Sequence, residues 1–210
     1  MANNANTSHE NRHIVVIGDT GAGKSQVLKN LIPAKAARVL AFDPDEDHKV
    51  SHFLSGKDWA RNVMLALKSG RNFRLGWAGT NAKDFEVFCR CAFDALDGNH
   101  LTWLILEEAA EFCGTSGPAR DGFGNLQRRA RKYGGICCTV GQRAAELPTT
   151  ARRQAAVKYI GYVDQEDRKA AAALGGLTVE QVAEIKPNTL TFWVCEKGKS
   201  PYKKQFKYIK

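Results

Sequence analysis

The sequence predicts an α/β protein: a mostly parallel sheet with helices on both faces and an antiparallel hairpin at the C-terminal edge. Three observations carry this expectation. Short apolar, often β-branched runs alternate with helical stretches, as in parallel strands joined by crossover helices. The first such run opens into a glycine-rich loop that leads straight into a helix. The last two runs are separated by the turn-forming "KGKSP", Lys197 to Pro201.

The elements follow in order. Residues 1–11 are polar, lack the apolar core of a signal peptide, and read as a disordered tail ahead of one domain over residues 12–210. "HIVVI", His13 to Ile17, reads as a buried parallel strand. "RVLAFDPDE" gives a second strand that ends at Asp43-Pro44, because Pro44 cannot continue a central strand. "NFRLGWAG", Asn72 to Gly79, gives another. Phe85, Phe88, Cys89, Ala92, Phe93 and Leu96 recur at helical spacing, and that helix ends near Gly98. "LTWLILEEA", "GICCTVGQ" and "VKYIGYV" are the next strands. "NLQRRARKYGG" reads as a helix with Leu126, Ala130 and Tyr133 on one face and Arg128, Arg131 and Lys132 on another. Thr178 and Gln181 have capping-box spacing, and "TLTFWVCE" and "YKKQFKYI" form the hairpin. His48 and His52, four apart, are spaced to share a helix face. No apolar run approaches a membrane span.

The chemistry starts at "GDTGAGKS", Gly18 to Ser25, which has the form G-x-x-x-x-G-K-S between a strand and a helix. Gly18, Gly21 and Gly23 let the backbone come close to oxygen atoms. The N–H groups of Gly18, Asp19, Thr20, Gly21, Ala22, Gly23, Lys24, Ser25 and Gln26 then converge on an anion. Lys24 is placed for the β- and γ-phosphates and the Ser25 hydroxyl for Mg²⁺. The chain therefore reads as a binder of a nucleoside triphosphate such as ATP.

A second half-site follows from topology. Ligands of open α/β sheets bind at the carboxyl ends of strands, so Glu107 and Glu108 emerge beside the loop. The first is suited to the Mg²⁺ shell and the second to positioning or deprotonating water. Gln142 also ends a strand. It either senses the γ-phosphate and orients water or simply shapes a turn. "CGTSGPARDGFGN", Cys113 to Asn125, is a flexible segment that offers either a mobile channel loop, with Arg120 on phosphate, or a plain linker.

The net charge of +9 lies wholly downstream of residue 115. Residues 1–115 hold 13 Lys/Arg and 14 Asp/Glu, and residues 116–210 hold 18 and 8. One-sided basicity in a nucleotide-binding domain points to a polyanionic partner, with nucleic acid foremost. Lys197, Lys199, Lys203, Lys204 and Lys207 of the hairpin either add to that contact or protect an edge strand. The six cysteines sit among apolar residues without a C-x-x-C pair, and read as small buried hydrophobes in a reducing compartment.

The order "GDTGAGKS", "AFDPDE", "LILEEA", "RRARKYGG", "TVGQR", "LP" and "RRQA" resembles the FtsK–HerA superfamily of nucleic-acid translocating ATPases. The small size is similar to the DNA-packaging ATPases of membrane-containing icosahedral viruses. The resemblance implies a RecA-like P-loop core and a homo-oligomeric ring, a hexamer, driving double-stranded DNA through its channel with ATP and Mg²⁺. It implies location in the host cytoplasm or the virion, with capsid or vertex proteins as partners. It assigns the acids to Glu107 and Glu108, the strand-end glutamine to Gln142 and an arginine finger to Arg131 in "RKYG", with Arg152 and Arg153 as alternatives. The first acid of the family is usually Asp, where this chain has Glu107. Two further readings stand beside the motor: a small-molecule kinase with "GPARDGFGN" as its lid, and a nucleotide-switched assembly adaptor.

Overall fold

The computed structural model describes residues 2–35, 37–114 and 116–210. Nine strands form one mixed sheet. They are β1 (Ile14–Ile17), β2 (Arg38–Phe42), β3 (Ser51–Phe53), β4 (Arg74–Trp77), β5 (Thr102–Leu106), β6 (Gly135–Gly141), β7 (Val157–Ile160), β8 (Thr191–Glu196) and β9 (Tyr202–Gln205). The order across the sheet is β3-β4-β2-β5-β6-β1-β7-β8-β9. β3 through β7 pair in parallel, whereas β7–β8 and β8–β9 are antiparallel. The expected sheet and terminal hairpin are both present. β3 is an addition, because a three-residue edge strand carries too little pattern to be read from sequence.

Strand alternation sorts the helices. Val39 and Ala41 of β2, with Ile14 and Val16 of β1, pack under Val27 and Leu28 of α1 (Lys24–Leu31). On the opposite face Leu40 and Phe42 meet α2 (Gly56–Ser69) and α3 (Ala82–Asp94) through Trp59, Phe85 and Phe88. Phe42 stacks edge-on with Phe85 at 5.1 Å, Phe112 at 5.2 Å and Phe88 at 5.6 Å between ring centres. Val15 and Ile17 share this second face, under Ala171, Leu174 and Val182 of α7 (Arg168–Gly175) and α8 (Val179–Ala183). Completing the chain are α4 (Ala109–Cys113), α5 (Asp121–Arg129) and α6 (Thr149–Gln154). Thr178 and Gln181 do form the capping box that opens α8.

Three local expectations are corrected. His48 and His52 are not on a helix: His48 lies in the β2–β3 connection and His52 in β3. The arginine-rich helix begins earlier and stops sooner than its periodicity suggests. α5 ends at Arg129, and Ala130–Tyr133 form a 3₁₀ turn. That tightening separates the basic residues: Arg128 Nη1 donates back to Ala119 O at 2.8 Å, while Arg131 turns toward residues 7–9. Part of the glycine-rich segment is helical because Glu86 of α3 caps it from a distance. Its carboxylate accepts from Gly122 N at 2.5 Å and Phe123 N at 3.4 Å, where the free N–H groups of a helix start favour an anion. A Cβ at residue 122 would lie 2.7 Å from Glu86 Oε1, so this cap requires glycine.

The N-terminal segment, disordered by composition, runs along the body. Asn6 N donates to Lys132 O at 2.6 Å, Asn4 Nδ2 to Asp97 Oδ1 at 2.9 Å, and His9 Nε2 lies 2.7 Å from Gly98 O.

Candidate active site

The loop after β1 is built as its glycines require. Gly21 and Gly23 have φ of 79° and 90°, a region open to glycine, and Gly23 leads directly into α1. The amino end of α1, at Lys24 and Ser25, therefore brings a helix start, which favours an anion, to the lining of the cavity. Asp19 anchors the loop from below: its N–H donates to Tyr162 O at 2.8 Å, and its carboxylate accepts from Asp164 N at 2.8 Å. Lys24 Nζ folds over the loop onto Gly18 O at 3.0 Å and Asp19 O at 3.4 Å.

One cavity of about 370 Å³ gathers the predicted residues. Thr20, Gly21, Gly23, Lys24, Ser25 and Gln26 line it together with Glu107, Glu108 and Gln142, whereas Gly18, Asp19 and Ala22 are not part of its lining. Topology explains the meeting. β6 lies between β1 and β5, so Gln142 projects from the strand that separates the phosphate loop from the acids. Gln142 Nε2 donates to Glu108 Oε1 at 3.2 Å. Burial raises the Glu108 carboxyl above its ordinary range, against the hydrogen bond from Gln142 and the charge of Lys24. Glu108 also holds a left-handed backbone at φ 44°, which turns the chain sharply from β5 into α4.

Glu107 is held differently. Its Oε1 lies 2.5 Å from His48 Nε2, and both side chains are buried. His48 N in turn donates to Asp43 Oδ2 at 2.9 Å, and His52 Nε2 lies 2.8 Å from the same oxygen. Burial pushes His48 down, but the hydrogen bond to Glu107 and the charges of Glu107, Asp43 and Asp47 outweigh it, so the net direction is up.

Sequence reasoning missed this acidic corner. Asp43, Asp45 and Asp47 line the cavity, and Ser25 Oγ donates to Asp47 Oδ2 at 3.3 Å. The signal was available, because "DPDED" follows β2 at the same carboxyl edge that exposed Glu107. Hard oxygen donors beside Ser25 suit Mg²⁺. Among the described residues, no three His, Cys, Asp or Glu side chains gather closely enough to hold a metal alone. Mg²⁺ is usually held by one or two carboxylates together with phosphate oxygens and water.

Other predicted residues lie elsewhere. Arg131 precedes β6, whereas Gln142 follows it. The six steps along this seven-residue strand, at roughly 3.3 Å each, place its two ends about 20 Å apart. The Arg131 guanidinium donates to the carbonyls of Thr7 and His9. Arg152 of α6 reaches Ser116 O at 3.4 Å, and Arg153 shares that helix. The "GPARDGFGN" segment is tied to α6, with Thr149 N on Gly117 O at 3.0 Å and Ala119 N on Thr150 Oγ1 at 2.9 Å, rather than bent over the phosphate loop. Thr115 lies outside the described residues. Of the hairpin lysines, Lys199 pairs with Glu196, and Lys203 with Glu184, an edge-strand arrangement. The cysteines are free thiols, four of them buried, and burial raises Cys89, Cys137 and Cys138 far from reactivity.

No protein-family model matches the chain. Protein P9 of Pseudoalteromonas phage PM2 is 29% identical over 199 residues, spanning 93% of this chain and 90% of that protein. The genome packaging NTPase B204 of Sulfolobus turreted icosahedral virus 2, in complex with AMPPCP, matches with a TM-score of 0.75 at 15% identity, covering 95% of this chain and 98% of its own. VirB4 of Thermoanaerobacter pseudethanolicus matches with a TM-score of 0.67 at 11% identity, covering 94% and 90%. The fold is thus that of the RecA-like P-loop ATPases, as the sequence resemblance implied. No helix among the described residues is long and apolar enough to cross a membrane.

Proposed function

We propose that this chain is an ATP-hydrolysing motor that moves double-stranded DNA, in the packaging of a viral genome, as a homo-oligomeric ring. The observation that carries the reading is the meeting of Lys24, Ser25, Glu107, Glu108 and Gln142 around one cavity at the carboxyl edge of the sheet. The likeness to a packaging NTPase and the basic downstream half support the choice of DNA over other work.

In this reading the loop N–H groups and Lys24 hold the β- and γ-phosphates. Ser25, Asp47 and Glu107 would hold Mg²⁺ together with the triphosphate. Bound Mg²⁺ supplies neutralisation of charge on the β- and γ-oxygens. Glu108 takes the proton of the attacking water, and its raised carboxyl range makes it a better base. Gln142, already bonded to Glu108, orients that water. Arg131 lies too far from its own cavity to act there, which supports its use on the neighbouring subunit's triphosphate.

ATP turnover with and without double-stranded DNA tests the whole reading. Turnover that rises with DNA is expected. Binding of ATP without turnover would shift the function to a nucleotide-switched adaptor. Turnover indifferent to DNA would remove the motor.

A further inference from the structure

The cavity has a part that phosphate chemistry does not use. Beyond the loop with the start of α1, the acids and Gln142, its remaining lining is Leu190 and Tyr208, both contributed by the C-terminal region. Tyr208, three residues past the end of β9, is 70% exposed. Its position is nonetheless fixed. Two residues before it, Phe206 is buried against Tyr159 and Phe192, with ring centres 5.8 Å away in both cases. Phe206 N donates to Leu190 O at 2.9 Å. The strap then lies along α1. Asn30 Nδ2 donates to Lys207 O at 2.8 Å, and Ile209 N donates to Gln26 Oε1 at 2.7 Å. Gln26 is itself the residue after Ser25 at the amino end of α1. Tyr208 is therefore pinned, from both neighbours, to the helix that begins the phosphate site.

Leu190 is placed just as deliberately. It holds φ 52°, a costly conformation for a leucine. Its Cδ2 lies 2.3 Å from where a Cβ on Gly23 would stand. Strain at Leu190 and the bare Cα of Gly23 together bring an apolar surface against the phosphate loop.

We infer that Tyr208, with Leu190, forms the platform for the nucleobase of the bound triphosphate. The inference rests on the nucleotide-binding reading above and deepens it. The loop and Lys24 fix the phosphate end, and the acids and Gln142 close the hydrolytic side. The flat, apolar part of a nucleotide is left to the wall where the aromatic ring and leucine stand. Stacking uses the face every base shares, so the platform distinguishes nucleotides from bare polyphosphate more sharply than one base from another.

Calorimetric titration of the full chain with AMPPCP and with inorganic tripolyphosphate, both with Mg²⁺, tests it. Stacking on an aromatic side chain is worth about 1–3 kcal/mol, or roughly 5- to 150-fold in affinity. Tyr208→Ala should weaken AMPPCP by about fivefold or more and leave tripolyphosphate unchanged. Tyr208→Phe should stay within about twofold of wild type for both. An undiminished AMPPCP affinity in Tyr208→Ala overturns the platform, as does equal loss for both ligands, which would mean that the ring supports the loop instead. A wild-type chain that binds neither ligand overturns the nucleotide reading itself, whatever Tyr208 does.

Discussion

Two carboxylates stand side by side at the end of β5, and their surroundings set them apart. Glu107 is locked to His48, whereas Glu108 faces Gln142 and Lys24 with its carboxyl raised by burial. A base must be ionised, so turnover should climb with pH through a midpoint above the usual carboxylate range, and a kcat–pH profile reads it. Glu108→Gln should bind ATP normally and lose at least about 10²-fold in kcat, since an amide accepts no proton. Near-normal turnover would move the base elsewhere. His48→Leu leaves Glu107 buried without its partner, while the backbone N–H at residue 48 still serves Asp43, and should cost about 3 kcal/mol in urea unfolding. His48→Gln, which keeps a donor toward Glu107, should recover much of that. The acids were legible because they end an apolar run. Their partner was not, because a contact across 59 residues leaves no mark in local pattern.

At the scale of elements, the entry to β1 carries a pH-sensitive joint. His13 is buried, and its Nδ1 accepts from Cys137 N at 3.1 Å, tying β1 to β6. Burial, and then the nearby charge of Arg131, lower its pKa to about 4 from 6.5. Between those values the unfolded chain binds a proton that the folded chain refuses, so His13 makes stability fall as pH drops from about 6.5 to 4. The loss approaches about 3 kcal/mol. His48, shifted upward, acts outside this range: its contribution is complete below about 6.5 and is lost only as pH rises above that value. The Tm of His13→Asn should fall less steeply with acid than that of wild type, and parallel slopes would count against it. Elements with a strong period were legible: the buried strands, α3 and the capping box of α8. α5 was not, because its first turn depends on Glu86, brought in by tertiary packing. The 3₁₀ turn broke a face that a continuous helix would have kept, so the joint placement of Arg128 and Arg131 did not survive.

For the whole molecule, the basic excess downstream of residue 115 points to nucleic acid as partner. Contacts of this kind go to phosphates. Duplex affinity should therefore fall by orders of magnitude between low and moderate salt, with little sequence preference. Selective binding that survives high salt would count against the motor. The ring makes a sharper claim. On the proposed roles, Lys24→Ala lacks the phosphate grip and Arg131→Ala lacks the finger, so each alone should be inactive. Mixed, they should regain part of the activity, because head-to-tail interfaces join some intact loops to intact arginines. Demonstrated mixing without recovery would promote Arg152 or Arg153.

The seven buried residues of β6 separate Gln142 at one end from Arg131 at the other. On the proposed roles, a subunit so built owns two half-sites at opposite ends of one strand, about 20 Å apart. On the proposed assignment, its catalytic rate per molecule is then a function of concentration. A dilute pool sits idle with ATP bound, its finger resting on the backbone of its own N-terminal segment. Fuel is consumed only where subunits crowd together, at the place of assembly, and specific activity should rise steeply with protein concentration before it levels off.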